Sequence, residues 1–139
     1  MEIIANAVQT VAANQNVYFT DTVTCGSPAI SHRDGSGLVF LRGNTNQCRA
    51  RFKVSFGANI ALPSTGAAGP IQIALALDGE TIPATTTIVT PAAVQEFFNV
   101  FTAFYVDVPR GCCLTASVQN TSAVTIEVQN ANLIVERVA

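Results

Sequence analysis

Alternation of apolar and polar residues is clearest between positions 70 and 83 of the chain. Four large apolar residues there occupy every second position and so share one face of an extended strand: Ile71, Ile73, Leu75 and Leu77. The pair Asp78-Gly79 follows, and these residue types favour the positive-φ backbone of a two-residue hairpin turn. The segment therefore predicts a β-hairpin of an antiparallel sheet.

Similar segments recur along the whole chain and predict further strands. Their predicted bounds are 2–12, 16–20, 37–42, 48–56, 70–77, 80–90, 94–108, 112–119, 124–128 and 132–138. Turn-forming Gly, Pro, Asn, Asp and Ser residues separate them, and no segment keeps a helical period over ten residues. Many short strands with frequent turns are typical of an all-β sandwich or barrel.

The predicted strand 48–56 has one apolar and one cationic face. Ala50, Phe52, Val54 and Phe56 alternate with Arg49, Arg51, Lys53 and Ser55. This pattern predicts a half-buried strand whose charged face borders water or an acidic partner.

The predicted strand 94–108 is apolar on both faces. One face carries Phe97, Phe101 and Tyr105, and the other carries Phe98, Val100, Phe104, Val106 and Val108. Because each sheet of a sandwich buries only one face in the core, the second row predicts a contact between subunits. The alternative is that the N-terminal segment of the same chain covers this row.

Composition supports an oligomer and argues against two kinds of partner. The 139 residues suit one domain, and only 12% are charged, about half of the ~25% found in ordinary soluble domains. Since so few charges leave apolar surface to be covered, we expect a homo-oligomer. The net charge is −2 and Lys53 is the one lysine, so we expect neither nucleic acid nor a membrane as partner. The N-terminus has no signal-peptide pattern, which predicts a chain made in the cytosol or a fragment without its leader.

Several segments together resemble a known family. These segments are 51–56, 69–75, 78–83 and 133–139. They resemble the bacterial branch of the C1q/TNF-like jelly rolls, and are similar to the C-terminal domain of collagen-like exosporium proteins and to small phage or prophage structural proteins. The resemblance covers about the last two-thirds of the chain, and no Gly-X-Y tract precedes it.

The resemblance implies an all-β, two-sheet antiparallel jelly-roll sandwich of ten strands that forms a homotrimer about a three-fold axis. It implies that the strands carrying Phe52, the row from Phe97 to Tyr105, and 133–138 belong to the sheet at that axis. The residues expected at the trimer interface are Phe97, Phe101, Tyr105, Phe52 and Val135. We expect residues 23–139 to form the jelly-roll domain and residues 1–22 an N-terminal strand or arm, with an attachment segment for another protein as the alternative.

Residues capable of metal or redox chemistry are sparse. His32 is the one histidine, which excludes a metal centre built from several imidazoles, and we expect it in a loop. The four cysteines, Cys25, Cys48, Cys112 and Cys113, lack Cys-x-x-Cys spacing and are expected to be reduced and partly buried. Vicinal Cys112 and Cys113 would point to opposite faces of a strand, and a bridge between Cys25 and Cys48 is the alternative.

No catalytic pattern accompanies these residues. Ser31, His32 and Asp34 are neighbours in sequence, but a turn does not place such neighbours as a catalytic triad, and residues 34–37 are interpreted as a turn. Asn120-Thr121-Ser122 matches the N-glycosylation acceptor pattern and lies at a predicted turn. We therefore expect no enzyme activity, no cofactor and no bound metal.

These observations lead to one expected function and its alternatives. We expect a non-enzymatic structural protein on the surface of a particle, assembled in the bacterial cytoplasm: a head decoration or fibre-type protein of a phage or prophage virion that contacts a capsid or other particle protein. The alternatives are a spore exosporium or coat component on the spore surface, and a carbohydrate- or receptor-binding module whose ligand is a glycan of the host surface.

Overall fold

The described residues, 1–66 and 69–139 of a computed structural model, form twelve strands. The strands are β1 (Glu2–Ala5), β2 (Gln9–Val11), β3 (Asp21–Thr24), β4 (Ile30–His32), β5 (Val39–Arg42), β6 (Arg49–Ala61), β7 (Ile71–Leu77), β8 (Glu80–Thr81), β9 (Thr87–Val89), β10 (Phe98–Pro109), β11 (Cys113–Asn120) and β12 (Ile126–Arg137). One turn of 3₁₀ helix, Pro83–Thr85, lies between β8 and β9.

The strands pair into two antiparallel sheets. The first sheet has the order β10-β6-β12-β1-β3, with β2 also paired to β12, and the second has the order β4-β5-β11-β7-β8, with β9 paired to β7. Strands far apart in sequence, such as β1 and β12 or β5 and β11, are neighbours in these sheets. The expected all-β fold of two antiparallel sheets is confirmed, with twelve strands in the described residues where ten were expected.

The core lies between the two sheets and is built by alternate residues. In β6 the side chains of Ala50, Phe52, Val54 and Phe56 are buried, whereas the residues between them are half-buried. The Phe56 ring meets the edge of Phe19 with 6.4 Å between ring centroids, a favourable aromatic arrangement. The predicted alternation of this strand is confirmed, and the strand extends five residues beyond its predicted end, to Ala61.

The predicted hairpin after β7 has the expected turn. Asp78 and Gly79 have φ angles of 51° and 83°, the left-handed conformation that a two-residue hairpin turn requires. The Oδ1 atom of Asp78 also accepts hydrogen bonds from the backbone N–H and the hydroxyl of Thr115, at 2.8 and 3.0 Å. The turn is therefore fixed to the neighbouring strand β11.

The two strands predicted at 124–128 and 132–138 are one strand, β12, with a bulge. The register against β6 shifts between Gln129 and Asn132, and Asn130 adopts a positive φ of 54°. A bulge inserts a residue and so interrupts the alternation of side chains without ending the strand. The sequence pattern therefore resembles a turn at this position.

Residues 1–22 belong to the sandwich and do not form a separate arm. β1 lies inside the first sheet, between β12 and β3, and the predicted strand 2–12 is split into β1 and β2. Ile3, Val17 and Phe19 are fully buried in the core. The segment 16–20 makes an isolated bridge between Asn16 and Gln119 in place of the predicted strand.

Other differences from the predicted strands concern short elements. The sequence pattern did not indicate β3 and β4, which have four and three residues. The predicted strand 80–90 is interrupted by the 3₁₀ turn, where the buried Thr85 hydroxyl accepts a hydrogen bond from the Leu75 N–H and donates one to the Ile82 carbonyl. These elements are too short to show a period of their own.

Asn120 connects the N-terminal segment to β11. Its fully buried amide nitrogen donates to the carbonyls of Val11, Ala12 and Val124 at 3.0, 3.3 and 3.0 Å, and its Oδ1 accepts from the Ser122 N–H at 2.9 Å. The asparagine of the glycosylation pattern is thus enclosed in the folded chain and structural.

Substitution Asn120→Ala is expected to lower the free energy of unfolding by about 2 kcal/mol or more, because buried carbonyls lose their donor. Urea unfolding followed by circular dichroism measures the change. Asn46→Ala is the matched control, since Asn46 is exposed in a loop and its loss should change stability by less than about 0.5 kcal/mol. Equal effects of the two substitutions would contradict this role of Asn120.

Candidate functional site

The candidate site is the face of the first sheet that points away from the second sheet, here called the open face. Because inward residues alternate with outward ones along β6, β10 and β12, every second residue of these strands lies on it. The strand register forms rows across the three strands, in which Gly57 lies between Phe101 and Asn132, and Ser55 lies between Ala103 and Ile134.

Large apolar side chains are exposed at the centre of the open face. Phe101 is 65% exposed, Tyr105 58% and Ile134 41%. The Phe101 ring lies beside Gly57, where an added Cβ would come within 3.7 Å of a ring carbon. We call Phe101, Ala103, Tyr105 and Ile134 the apolar centre. Its members lie on β10 and β12, on either side of β6, whose outward residues Ser55 and Lys53 lie between them.

Charged residues border the apolar centre at one end of the sheet. Arg51 donates two hydrogen bonds to Asp107, Nε to Oδ1 at 2.8 Å and Nη2 to Oδ2 at 3.2 Å. Arg49 Nε lies 3.6 Å from the same carboxylate. The hydrogen bonds from Arg51 lower the pKa of Asp107, and the Asp107 carboxylate raises the pKa of Arg51. Lys53 lies between Tyr105 of the apolar centre and Glu136, so this charged border reaches the row of Tyr105.

Amide side chains border the apolar centre at the other end. Asn99 donates to Asn59 with 3.2 Å between Nδ2 and Oδ1, and Gln95 donates to Glu127. The open face thus has an apolar centre between a border of both charge signs and a border of amides. Such a surface suits contact with another protein, since apolar centres with polar rims are typical of interfaces.

Of the residues expected at a trimer interface, some are exposed on the open face and others are buried in the core. Phe101 and Tyr105 lie exposed on the open face, and Phe97 is half-buried just before β10. Phe52 and Val135 are fully buried between the sheets, so their side chains cannot contact a second subunit. The expectation that the strands carrying these residues share one sheet is confirmed.

Sequence patterns explain why Phe52 was wrongly expected at the interface and why Ile134 was not predicted there. Phe52 belongs to the buried row of β6, and this row already pointed to the core. Ile134 was missed because Leu133, Ile134 and Val135 are consecutive apolar residues, in which alternation gives no phase. The pairing of Leu133 and Val135 with the buried Phe56 and Val54 settles that phase and turns Ile134 outward.

His32 is not a loop residue as expected, because it ends β4 with its side chain fully buried. Its Nε2 lies 2.9 Å from the Ser36 carbonyl, so Nε2 carries the hydrogen, and its ring packs against the edge of Phe19. Its Nδ1 lies 3.8 Å from the Asp34 carboxylate. The predicted turn at 34–37 is confirmed by the positive φ of 89° at Gly35, and His32 holds this turn to the core.

All four cysteines are exposed and unbonded, so the expectation of partly buried thiols was wrong. Cys112 lies in the turn between β10 and β11, and Cys113 begins β11 at the end of its sheet. Neither therefore faces the opposite sheet, which explains why the expected inward thiol is absent. Within the described residues, no group of three or more His, Cys, Asp and Glu side chains is arranged to hold a metal ion.

A small concavity lies near the N-terminal strands. It has a volume of about 190 Å³ and is lined by Ala5, Ala7, Val8, Gln9, Tyr18 and Thr20. The Gln9 side chain donates to the Tyr18 carbonyl at 2.8 Å and accepts from the Tyr18 N–H at 2.9 Å. The Gln9 amide in its lining is thus already engaged within the chain.

The described parts of the chain contain no helix long and apolar enough to span a membrane.

Comparison with known proteins identifies the fold. No protein-family model matches the chain, and no curated protein matches it in sequence. Among solved structures, the globular domain of zebrafish complement 1qA protein is similar, with a TM-score of 0.53 and 8% sequence identity over 96% of this chain and 93% of that chain. The chain therefore has a C1q-like jelly-roll fold.

The pairing of Arg51 with Asp107 predicts a small dependence of stability on pH. Because the folded pKa of Asp107 is lowered, the pair contributes stability above the ordinary carboxyl value of 3.8, and this contribution is lost as the pH falls through the lowered pKa. Asp107→Asn should therefore lower the melting temperature at neutral pH, and the difference from wild type should vanish in acid. Because the Arg51–Asp107 pair is exposed, we expect the melting temperature to fall only slightly.

Glu80→Gln is the matched control, since it removes the same charge from the exposed start of β8. Melting curves of the three proteins between neutral pH and strong acid measure the effect. An Asp107→Asn difference that persists in acid would contradict the ion-pair explanation.

Proposed function

We propose that this chain is a non-enzymatic structural protein that assembles as a trimer through its open face and is displayed on the surface of a particle. The observation that carries the proposal is the apolar centre, with Phe101 and Tyr105 more than half exposed. Isolated exposed apolar side chains are ordinary, but two aromatic residues and an isoleucine grouped on one sheet face favour a contact.

The surface area of the chain supports contact between complete subunits. The accessible surface is 6784 Å², close to the roughly 6,900 Å² expected of a compact monomer of this mass. The single chain thus has the surface area of a compact unit. Association would cover the open face, and a stable interface buries about 800 Å² on each partner.

The borders of the open face favour a second copy of the same chain as the partner. Arg49, Arg51 and Lys53 stand beside Asp107 and Glu136, so both charge signs are present within one border. A surface with both signs can meet a copy of itself without net repulsion. The amides at the other border offer donors and acceptors that fix the orientation.

We place the trimer on a phage or prophage virion, as a head decoration or fibre-type protein assembled in the bacterial cytoplasm. This placement is supported by the resemblance of segments 51–56, 69–83 and 133–139 to such proteins and by the low charge of the chain. A component of the spore exosporium or coat is the second candidate, because the same resemblance extends to exosporium proteins.

A carbohydrate- or receptor-binding module has less support. The concavity beside Tyr18 offers an exposed aromatic ring on which a sugar could stack. However, the Gln9 amide that would bind the hydroxyl groups already pairs with the backbone of Tyr18. Binding would have to break these two hydrogen bonds.

Light scattering across a dilution series in reducing buffer tests the trimer. We expect a mass of three times 14.6 kDa for the wild-type protein. A constant monomer mass at all concentrations would contradict assembly through the open face.

Phe101→Asp is expected to convert the trimer into folded monomers, because a carboxylate in the apolar centre would be buried without a partner. The matched control is Ile88→Asp, which places the same charge on a residue of similar exposure, 62% against 65%, in the second sheet. The control should remain trimeric. A trimeric Phe101→Asp protein, or monomers from both variants, would place the interface elsewhere.

Immunogold electron microscopy of particles from the source strain tests the location. Labelling of virions supports the proposed placement, and labelling of spore surfaces would replace it by the second candidate. Labelling of neither particle would contradict display on a particle.

A further inference from the structure

The four cysteines come from three different connections of the chain. Cys25 follows β3, Cys48 precedes β6, and Cys112 and Cys113 lie at the turn between β10 and β11. β3 ends beside the start of β1, since Thr24 pairs with Glu2. Glu2 in turn pairs with Ile134, and Ile134 pairs with Ser55 in the middle of β6. The register therefore places the end of β3, and with it Cys25, level with the middle of β6, whereas Cys48 precedes its start.

Backbone hydrogen bonds and strand pairing hold the other three cysteines on two neighbouring turns, the β5–β6 and the β10–β11 connections. The Arg110 N–H donates to the Cys48 carbonyl at 3.0 Å, and the Gly43 N–H donates to the Cys112 carbonyl at 2.9 Å. Cys113 pairs with Arg42, the residue before Gly43. We call Cys48, Cys112 and Cys113 the cysteine cluster.

The backbone around the cluster is tightly packed. Gly43 touches the turn so closely that an added Cβ would lie 2.1 Å from the Pro109 carbonyl oxygen. The Gly111 N–H also donates to the Gly43 carbonyl at 3.1 Å. The cluster is therefore held in place on two connected turns and does not hang from a free loop.

The exposure of these thiols is unusual for free cysteines. Unpaired cysteine is among the residue types most often buried, yet every thiol of this chain is exposed and none is bonded to another. Cys112 and Cys113 are adjacent, and neighbouring cysteines rarely meet the geometry of a disulfide bond. The thiols are accessible to a partner outside the chain.

We propose that the cysteine cluster joins this chain to a second copy of itself by disulfide bonds. A second copy is the simplest partner because each copy presents three thiols on one end, so two ends in contact bring thiols of both chains together. The border beside this end carries arginine and carboxylate groups. A surface with both charge signs can face a copy of itself without net repulsion. The link does not depend on the open face and adds a covalent contact to the proposed particle protein.

The reaction requires an oxidant, and a low-molecular-weight disulfide supplies it. A cluster thiolate attacks one sulfur of this disulfide, forming a mixed disulfide and releasing one small thiolate. A cluster thiolate of the second copy then attacks the protein sulfur of the mixed disulfide and releases the other small thiolate. In total two protein thiols are oxidised to one disulfide, and the small disulfide is reduced to two thiols.

Oxidation of two matched variants tests the proposal. Cys25→Ser keeps the cluster, whereas Cys48→Ser/Cys112→Ser/Cys113→Ser keeps one exposed thiol outside it. Each protein is reduced, freed of reductant and treated with oxidised glutathione, and covalent dimers are followed on non-reducing gels and by intact mass. We expect Cys25→Ser to form reducible dimers at the wild-type rate and the triple variant to form them at least about tenfold more slowly.

Other outcomes would overturn the proposal. Equal rates for the two variants would assign the link to chance encounters of exposed thiols, and loss of dimers in Cys25→Ser would assign it to Cys25. Chains of single mass with an internal disulfide or with bound glutathione would also refute it. Light scattering in reducing buffer measures association through the open face in the absence of disulfides. A failure of the disulfide proposal can therefore be told apart from a failure of the trimer proposal.

Discussion

The pairing of β6 with β10 on one side and with β12 on the other determines the rest of this structure. Residues from Arg49 to Ile60 of β6 pair with β10, and most of the same residues pair with β12. A shift of one residue in either pairing would exchange the buried and the outward rows of a strand. The phenylalanines of β6 oppose such a shift, because each fills the space between the sheets. The composition of the open face follows from the packing of the core behind it.

Two surfaces of the molecule therefore differ in origin. The apolar centre is a consequence of strand register, since it consists of the residues that β10 and β12 turn outward when their partners enter the core. The cysteine cluster depends on the turns that connect the sheets, where no opposite sheet covers the chain. One surface suits contact side by side and the other contact end to end, so the same subunit could take part in both.

Sequence patterns predicted the long regular elements and failed where the pattern was short or interrupted. The hairpin at Asp78 and Gly79 and the alternation of β6 were evident, because each combines a clear period with suitable turn chemistry. The bulge at Asn130 resembled a turn, and β3 and β4 are too short to show a period. Phe101 and Tyr105 were correctly placed on an outward row, whereas the outward position of Ile134 required the register of β12 against β6. Burial of the cysteines was wrongly inferred from their type, since exposure depends on which end of a strand is left uncovered.

The position of β1 has a consequence for the order in which the chain can fold. β1 pairs with β12, the last strand along the sequence, and the Met1 and Val135 backbones exchange hydrogen bonds of 2.6 and 2.8 Å. During synthesis β1 emerges before β12 and must wait for it, and β12 also supplies the second neighbour of β6. Contacts between such distant segments slow folding, and the unpaired strand edges meanwhile expose the chain to aggregation. The first sheet is thus completed only after synthesis has passed residue 137. The synthesis of β12 therefore determines when the chain can finish folding.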